Sequence, residues 1–225
     1  MKLIAVETAS EACSAALLLD GEVIERFEIA PRQHTQLILP MVDLLLADAG
    51  LKLSDLDGLA FSRGPGAFTG VRIATGVIQG LAFAADLPVV PVSTLAAMAK
   101  RQYRQGGQQH ILTAIDARMG EIYWAGYHFS DSGEMSESVA EQVVPSDNAQ
   151  LPESESWFGV GSGWQSDGET LIERLGDLLN GYDATLLPHA ADIALLASPV
   201  IERGEGVSAA NALPIYLRDQ VAHKS

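Results

Sequence analysis

The sequence is poor in cysteine, poor in positive charge and without a long apolar run, and each shortage removes a class of function. Cys13 is the single cysteine, so no disulfide can form within the chain, the usage expected of a reducing compartment. It borders the apolar run that ends at Leu19 and reads as a small buried hydrophobe rather than a nucleophile. Lys and Arg number 14 against 29 Asp and Glu, a formal charge of −15. Such a surface repels polyanions, because nucleic-acid binding needs cations to displace phosphate counterions. Any nucleic acid in this protein's process is therefore expected on another chain. The apolar stretches fall short of the roughly 20 residues a membrane-spanning helix needs. The first residues run straight into the apolar segment 2–6 with no longer apolar leader and no cleavage site. A soluble, cytoplasmic protein without a membrane partner is the expectation.

Turning to what is present, 225 residues with 48% apolar content suffice for a well-packed core. Residues 2–8 and 13–19 read as short apolar strands, joined by a polar turn. Asp20-Gly21 is a hairpin signal, and 22–30 alternates as a third strand. Segment 36–49 reads as a helix that is apolar nearly all round, the pattern of burial in a core or an interface, with Gly50 as its stop. A strand at 56–62, a glycine-rich loop, a helix at 69–85 and a strand at 87–92 follow. Ser93 or Thr94 can cap a third helix running to 104. The polar break 105–109 is the expected boundary between subdomains 1–104 and 105–225. Beyond it, strands are predicted at 111–116, 121–129, 138–144 and 157–160, and helices at 168–180 and 190–203. Element order alone therefore predicts an α/β fold built twice.

The most informative segment is Gly64-Pro65-Gly66-Ala67-Phe68-Thr69-Gly70-Val71-Arg72, which joins a predicted strand to a predicted helix. It is not a Walker A loop, since no Lys-Ser or Lys-Thr follows its last glycine. A structural turn and a phosphate cradle both fit it, and Thr69 is placed to cap the helix. Gly66, Gly70 and Ala74 recur every four residues, as do Gly76, Gly80 and Ala84. Each glycine inside a helix costs about 1 kcal/mol relative to alanine, so the repetition needs a reason. Small residues let another backbone approach closely, either within this chain or from another subunit. Gly161-Ser162-Gly163 lacks the pattern of a nucleophile elbow, which leaves a peptidase built on Ser10, Ser14 or Ser62 without its motif.

Together with Leu3-Ile4-Ala5-Val6-Glu7-Thr8-Ala9, the glycine-rich block resembles the bacterial TsaB (YeaZ) family. The resemblance continues through His34-Thr35-Gln36-Leu37-Ile38-Leu39-Pro40 and Asp116-Ala117-Arg118-Met119-Gly120-Glu121-Ile122-Tyr123, and ends near Pro214-Ile215-Tyr216-Leu217-Arg218. It implies a duplicated actin-like (ribonuclease-H-like, ASKHA) fold with two subdomains. The first would carry dimerisation helices, and the last residues of the second would pack back on the first. It further implies a non-catalytic scaffold subunit in the synthesis of threonylcarbamoyladenosine, on the tRNA adenosine 3′ of the anticodon. The implied partners are a catalytic TsaD-like paralogue, a small TsaE-like ATPase and a second copy of the chain. Contact with tRNA would be only indirect. The chain would hold no cofactor of its own, with ATP entering at the level of the complex.

Joined to the steric argument, the resemblance puts the partner face on Leu37, Met41 and Leu45 of the first helix and on Thr69, Ile73, Gly76, Val77, Gly80 and Ala84 of the second. For nucleotide or anion contact the candidates are Glu7, Gly64, Gly66, Arg72 and Arg118. Actin-like phosphate loops place an aspartate at the end of the first strand of each half, where this chain has Glu7 and Asp116. Glu7 is longer by a methylene, and Asp116 is followed by Ala117-Arg118 instead of a glycine pair, so ATP binding is not indicated. Gly159-Val160-Gly161-Ser162-Gly163 could approach an adenosine or form an ordinary loop. The paralogue's metal clamp is a His-x-x-x-His pair. Here His34 is followed by Ile38, so His34 reads as a helix-entry or surface residue and no metal is expected. The competing readings are an independent actin-fold ATPase or small-molecule kinase, and a homodimeric interaction protein unrelated to tRNA.

Overall fold

In a computed structural model, residues 1–153 and 155–218 are described. They form two compact units. The first takes residues 1–97 and 188–215; the second takes 98–187 and the described residues from Tyr216.

The first unit opens with β1 (Lys2–Glu7), β2 (Ala12–Leu19) and β3 (Glu22–Ile29), paired antiparallel in sequence. Asp20 and Gly21 both adopt positive φ (51° and 94°), the conformation that a tight two-residue hairpin requires. Helix α1 (His34–Asp48) follows and stops before Gly50, at φ 66°. Then come β4 (Gly58–Ser62), α2 (Phe68–Ala85), β5 (Val89–Val92) and the start of α3 (Thr94–Gly106), whose residues from Met98 on belong to the second unit. β4 and β5 extend the sheet in parallel, giving the order β3-β2-β1-β4-β5. The Ser93 hydroxyl accepts the Ala96 N–H at 3.3 Å and so caps α3.

Alternation along the strands sends each residue set to one face. Ile4, Val6, Leu17, Leu59 and Phe61 meet Ile38, Val42, Leu45 and Ile78 of α1 and α2. Leu3, Ala5, Ala16 and Ala60 meet helix α6 (Ala190–Glu202) through Ala190, Ile193, Ala194 and Ala197. β1 and β4 are therefore buried on both faces, which is why they read as unbroken apolar runs. The alanines of α6 let it lie flat on the sheet. Sequence order assigns this helix to the second half; the structure places it on the first. Its periodicity marks a buried face but carries no record of which sheet covers it. Residues 206–215 also stay on the first unit, with Val207 bridging Val89 and the Ile215 N–H donating to the Arg63 carbonyl at 2.9 Å. The expected boundary at 104/105 thus differs from the observed division, in which residues 188–215 return to the first unit.

The second unit repeats the topology. β6 (His110–Arg118), β7 (Glu121–Phe129) and β8 (Met135–Pro145) form the antiparallel meander, and β9 (Trp157–Val160) and β10 (Leu179–Asp183) add parallel strands. The order β8-β7-β6-β9-β10 matches that of the first sheet, so the duplicated actin-like α/β fold implied by the resemblance is the fold observed. Helices α4 (Gly163–Ser166) and α5 (Gly168–Leu175) cover one face with Trp164, Leu171 and Leu175. The helix expected over 168–180 ends at Leu175 because Gly176 turns left-handed (φ 51°), and residues 179–183 form β10 instead.

The three tryptophans all lie in this unit, so their fluorescence reports on its folding. His110 and His128 stand directly opposite on β6 and β7 with ring centroids 4.7 Å apart. Partial burial and the neighbouring His128 hold the His110 imidazole below its ordinary pKa, with Glu155 pulling weakly the other way. A depressed histidine pKa makes the unfolded chain the better proton acceptor, so its stabilising effect is present above the unfolded value and is lost as pH falls. Thermal unfolding followed by tryptophan emission is expected to show lower stability below about pH 6.5, and His110→Phe to flatten that slope. An unchanged slope would remove the histidine pair as its source.

Candidate interaction surface

Helix α2 resolves the small-residue pattern into two sets with different causes. Gly66 and Gly70 precede and open the helix, where the turn after β1 crosses it. A Cβ at Gly70 would lie 1.9 Å from the Thr8 carbonyl oxygen, and one at Gly66 would lie 2.4 Å from that of Ala9. The crossing is fastened by the Thr8 hydroxyl donating to the Gly70 carbonyl at 2.7 Å and the Ala67 N–H donating to the Ala9 carbonyl at 2.7 Å. Ala74 is fully buried against the sheet. These three small residues serve packing within the chain. Gly76 and Gly80 differ: both are exposed, and a Cβ at either would meet nothing within 4 Å. No contact among the described residues accounts for them.

Spacing by three and four places Thr69, Arg72, Gly76, Gly80 and Phe83 along the outward side of α2, all exposed. Ile73 and Val77 run beside them, half-buried and packed on the core, and Ala84 is exposed at the far end. Three partner-face positions singled out from sequence, Thr69, Gly76 and Gly80, therefore lie on the outward strip, flanked by Ile73 and Val77 and followed by Ala84. Phe83 is the residue that sequence reasoning overlooks. It is 85% exposed, the most exposed large apolar side chain among the described residues, and rims a shallow groove of about 560 Å³ shared with Leu87, Pro88 and Ala209. Its register, three and seven residues after Gly80 and Gly76, is the available signal.

On α1 the expectation is corrected in part. Leu37 is half-buried, but Met41 and Leu45 point into the core, 8% and 2% exposed. Leu39 and Leu44 take outward positions at 44% and 49%. In a helix apolar on nearly every side, composition does not tell the inner stripe from the outer one. Thr69 also does not cap α2: the helix starts at Phe68 with Ala67 at the N-cap position and no side-chain cap. By length α2 spans about 27 Å at 1.5 Å per residue, slightly less than a bilayer's apolar thickness of about 30 Å. Among the described residues it is the one helix long and apolar enough, by length and composition alone, to cross a membrane, and a third of it is buried in the unit, as in the core helix of a folded domain.

Within the first unit, Glu7, Gly64, Gly66 and Arg72 do not line one open site. Glu7 is fully buried at the end of β1. Its Oε1 accepts the Ala9 N–H at 2.5 Å, closing the turn that occupies the space over Gly66. The Ser62 hydroxyl on β4 is close enough to ease this burial without a hydrogen bond of normal geometry, and Glu7 Oε2 and Ser62 Oγ are left without partners among the described residues. Burial dominates and pushes the Glu7 carboxyl up to about 7, against the opposing pull of Ser62 and the Ala9 and Ser10 amides. Burial, with the nearby Glu7 and Glu28, likewise pushes the Cys13 thiol up to about 11, as suits a buried hydrophobe. Gly64 is buried against Val71, with a φ of 97°. Arg72 lies over the Phe68 ring at 3.8 Å.

In the second unit Arg118 bridges Asp116 at 2.9 Å, and the Arg118 N–H also donates to the Asp116 carboxylate at 2.7 Å. Packing accounts for the glycines of 159–163. A Cβ at Gly159 would meet the Trp164 ring at 2.3 Å, and one at Gly161 the Ala114 carbonyl at 2.5 Å. His34 is the helix-entry residue expected, the first of α1, and not a surface one: it is 8% exposed, and its Nε2 meets the Ala12 carbonyl at 3.1 Å, tying the start of α1 to β2. One turn on, Ile38 is fully buried.

The chain is similar to known proteins along its length. Residues 26–157 match the family model described as TsaD, tRNA N6-adenosine threonylcarbamoyltransferase. The chain is 44% identical to the tRNA threonylcarbamoyladenosine biosynthesis protein TsaB of Escherichia coli, over 100% of this chain and 97% of that one. It is 41% identical to the protein of the same description from Haemophilus influenzae, over 100% and 96%. Among solved structures, YeaZ from Pseudomonas aeruginosa superimposes with a TM-score of 0.89 at 49% identity, covering 96% of this chain and 99% of that one.

Proposed function

The chain belongs to the TsaB family, and from that premise we propose that it serves threonylcarbamoyladenosine synthesis as a scaffold, by pairing and without an active site of its own. The observation that carries the pairing is the open space over Gly76 and Gly80. Two helix-interior glycines cost stability, about 1 kcal/mol each, and return nothing among the described residues. A second helix laid across them would recover that cost. The partner face comprises Leu37, Thr69, Ile73, Gly76, Val77, Gly80 and Ala84, extended by Phe83, Leu39 and Leu44. Interfaces of this kind are more apolar than ordinary surface at their centre.

The partner is a TsaD-like catalytic paralogue, whose shared fold offers a similar helix pair for a four-helix contact. A second copy of the chain uses the same face, so the two assemblies compete. A TsaE-like ATPase joins the complex and brings ATP with it, while this chain holds no cofactor. With a formal charge of −15 it leaves tRNA to the assembly. The work is cytoplasmic, where the tRNA is.

The test is depletion of the protein in its host, with threonylcarbamoyladenosine in hydrolysed bulk tRNA measured by mass spectrometry. Loss of the nucleoside, restored by the wild-type chain, is the expected result. Full persistence after depletion would sink the reading and bring the actin-fold ATPase or kinase alternative forward.

A further inference from the structure

The turn after β1 joins a buried acid to the partner helix through a short chain of hydrogen bonds. Glu7 Oε1 accepts the Ala9 N–H, the Ala9 carbonyl accepts the Ala67 N–H at the start of α2, and the Thr8 hydroxyl donates to the Gly70 carbonyl. The fit admits no slack, since Gly66 and Gly70 have no room even for a methyl group beside Ala9 and Thr8. Any displacement of residues 8–10 must therefore move the first turn of α2, where Thr69, Arg72 and Ile73 begin the outward strip. From this geometry we infer that Glu7 is a positioning residue for the α2 pairing surface, and that its ionisation loosens that surface. The inference rests on the proposed pairing through α2.

The surroundings explain why ionisation acts this way. β2 presents Cys13 and Ser14 to Glu7, and β4 presents Ser62, followed by Arg63. α6 brings buried Asp192 in its first turn, preceded by His189, which is engaged with Glu25 at 2.8 Å. On α2, Arg72 is exposed and lies over Phe68. Glu28 acts on Cys13 from β3. The groups that ease a negative charge on Glu7 are the Ser62 hydroxyl and the Ala9 and Ser10 amides, and together they fall short of offsetting its burial. A charge there is relieved further by admitting water at the turn. With the carboxyl raised to about 7, the compact turn is favoured fully below the ordinary carboxylate pKa, and that preference is lost as pH rises through about 7. Pairing is tightest in mildly acidic solution and weakens in alkali.

Sedimentation velocity of the full chain and of Glu7→Gln, from about pH 6 to about pH 8.5, reads this directly. The wild-type self-association constant is expected to weaken several-fold across the range, while Glu7→Gln, neutral throughout, holds the tighter value. A second arm follows hydrogen exchange at the Ala9 and Ala67 amides, corrected for intrinsic rates. Protection should fall with rising pH in the wild type only. Wild-type association with no pH dependence beyond that of Glu7→Gln would overturn the inference. If the wild type does not associate at any pH, the pairing reading fails instead. The exchange arm then decides Glu7 alone: equal protection in both proteins across pH overturns its role, and a wild-type-only loss upholds its control of α2. Should Glu7→Gln fold poorly, the exchange arm on the wild type decides alone: protection of the Ala9 and Ala67 amides that does not fall as pH rises overturns the inference.

Discussion

If the proposed pairing holds, Gly76→Arg and Gly80→Arg are each expected to leave a folded protein that no longer self-associates or binds the proposed TsaD-like partner. The argument is steric and local. A Cβ at either position meets nothing within 4 Å, so an arginine side chain extends into solvent in the isolated chain. Arginine is also a far better helix residue than glycine, and the variants should melt no lower than the wild type. In a helix-on-helix contact the same side chain occupies the space of the partner's backbone. Disrupting the centre of an interface in this way costs more than about 2 kcal/mol, and about 2.7 kcal/mol corresponds to a hundredfold weaker constant. Sedimentation velocity and a pull-down with the paralogue measure the weakening, and far-UV circular dichroism checks the fold. Retained association at wild-type strength would move the interface away from the α2 strip, whatever the tRNA phenotype.

The strip and the fold are legible in the sequence to different depths, for physical reasons. Strands β7 and β9 match their expected bounds to the residue because alternation and turn chemistry fix them locally. The duplicated order follows from the same local signals. What sequence does not assign is partnership across distance: α6 shows a buried stripe, but its docking on Leu3, Ala5 and Ala60 joins opposite ends of the chain, and no local pattern encodes that. The inner and outer faces of α1 are confused at Met41 and Leu45 because leucine occupies both. The two glycine sets of α2 look alike on paper. Only the crossing of Thr8 and Ala9 separates Gly66 and Gly70, which are needed internally, from Gly76 and Gly80, which are not. The buried state of Glu7 is equally hidden, since a carboxylate at a strand end reads as a site residue until its burial is known.

That separation predicts opposite outcomes for one substitution made at two glycines of the same helix. At Gly70 the new methyl would sit 1.9 Å from the Thr8 carbonyl oxygen and 3.0 Å from its carbon. Both are backbone atoms, and the Thr8 hydroxyl is bonded back to the Gly70 carbonyl, so neither strand nor helix can give way alone. Gly70→Ala should therefore cost about 3 kcal/mol or more, at the upper end of overpacking penalties, and lower the first unit's melting temperature by roughly 10 °C or more. At Gly80 the methyl meets open solvent in a helix interior, and Gly80→Ala should gain up to about 1 kcal/mol. Calorimetry of the two variants beside the wild type makes the comparison, with tryptophan emission tracking the second unit separately. A Gly70→Ala protein as stable as Gly80→Ala would mean that the turn after β1 does not grip α2 as closely as these distances state. The dependent claim, that Glu7 governs the pairing helix through that grip, would fall with it.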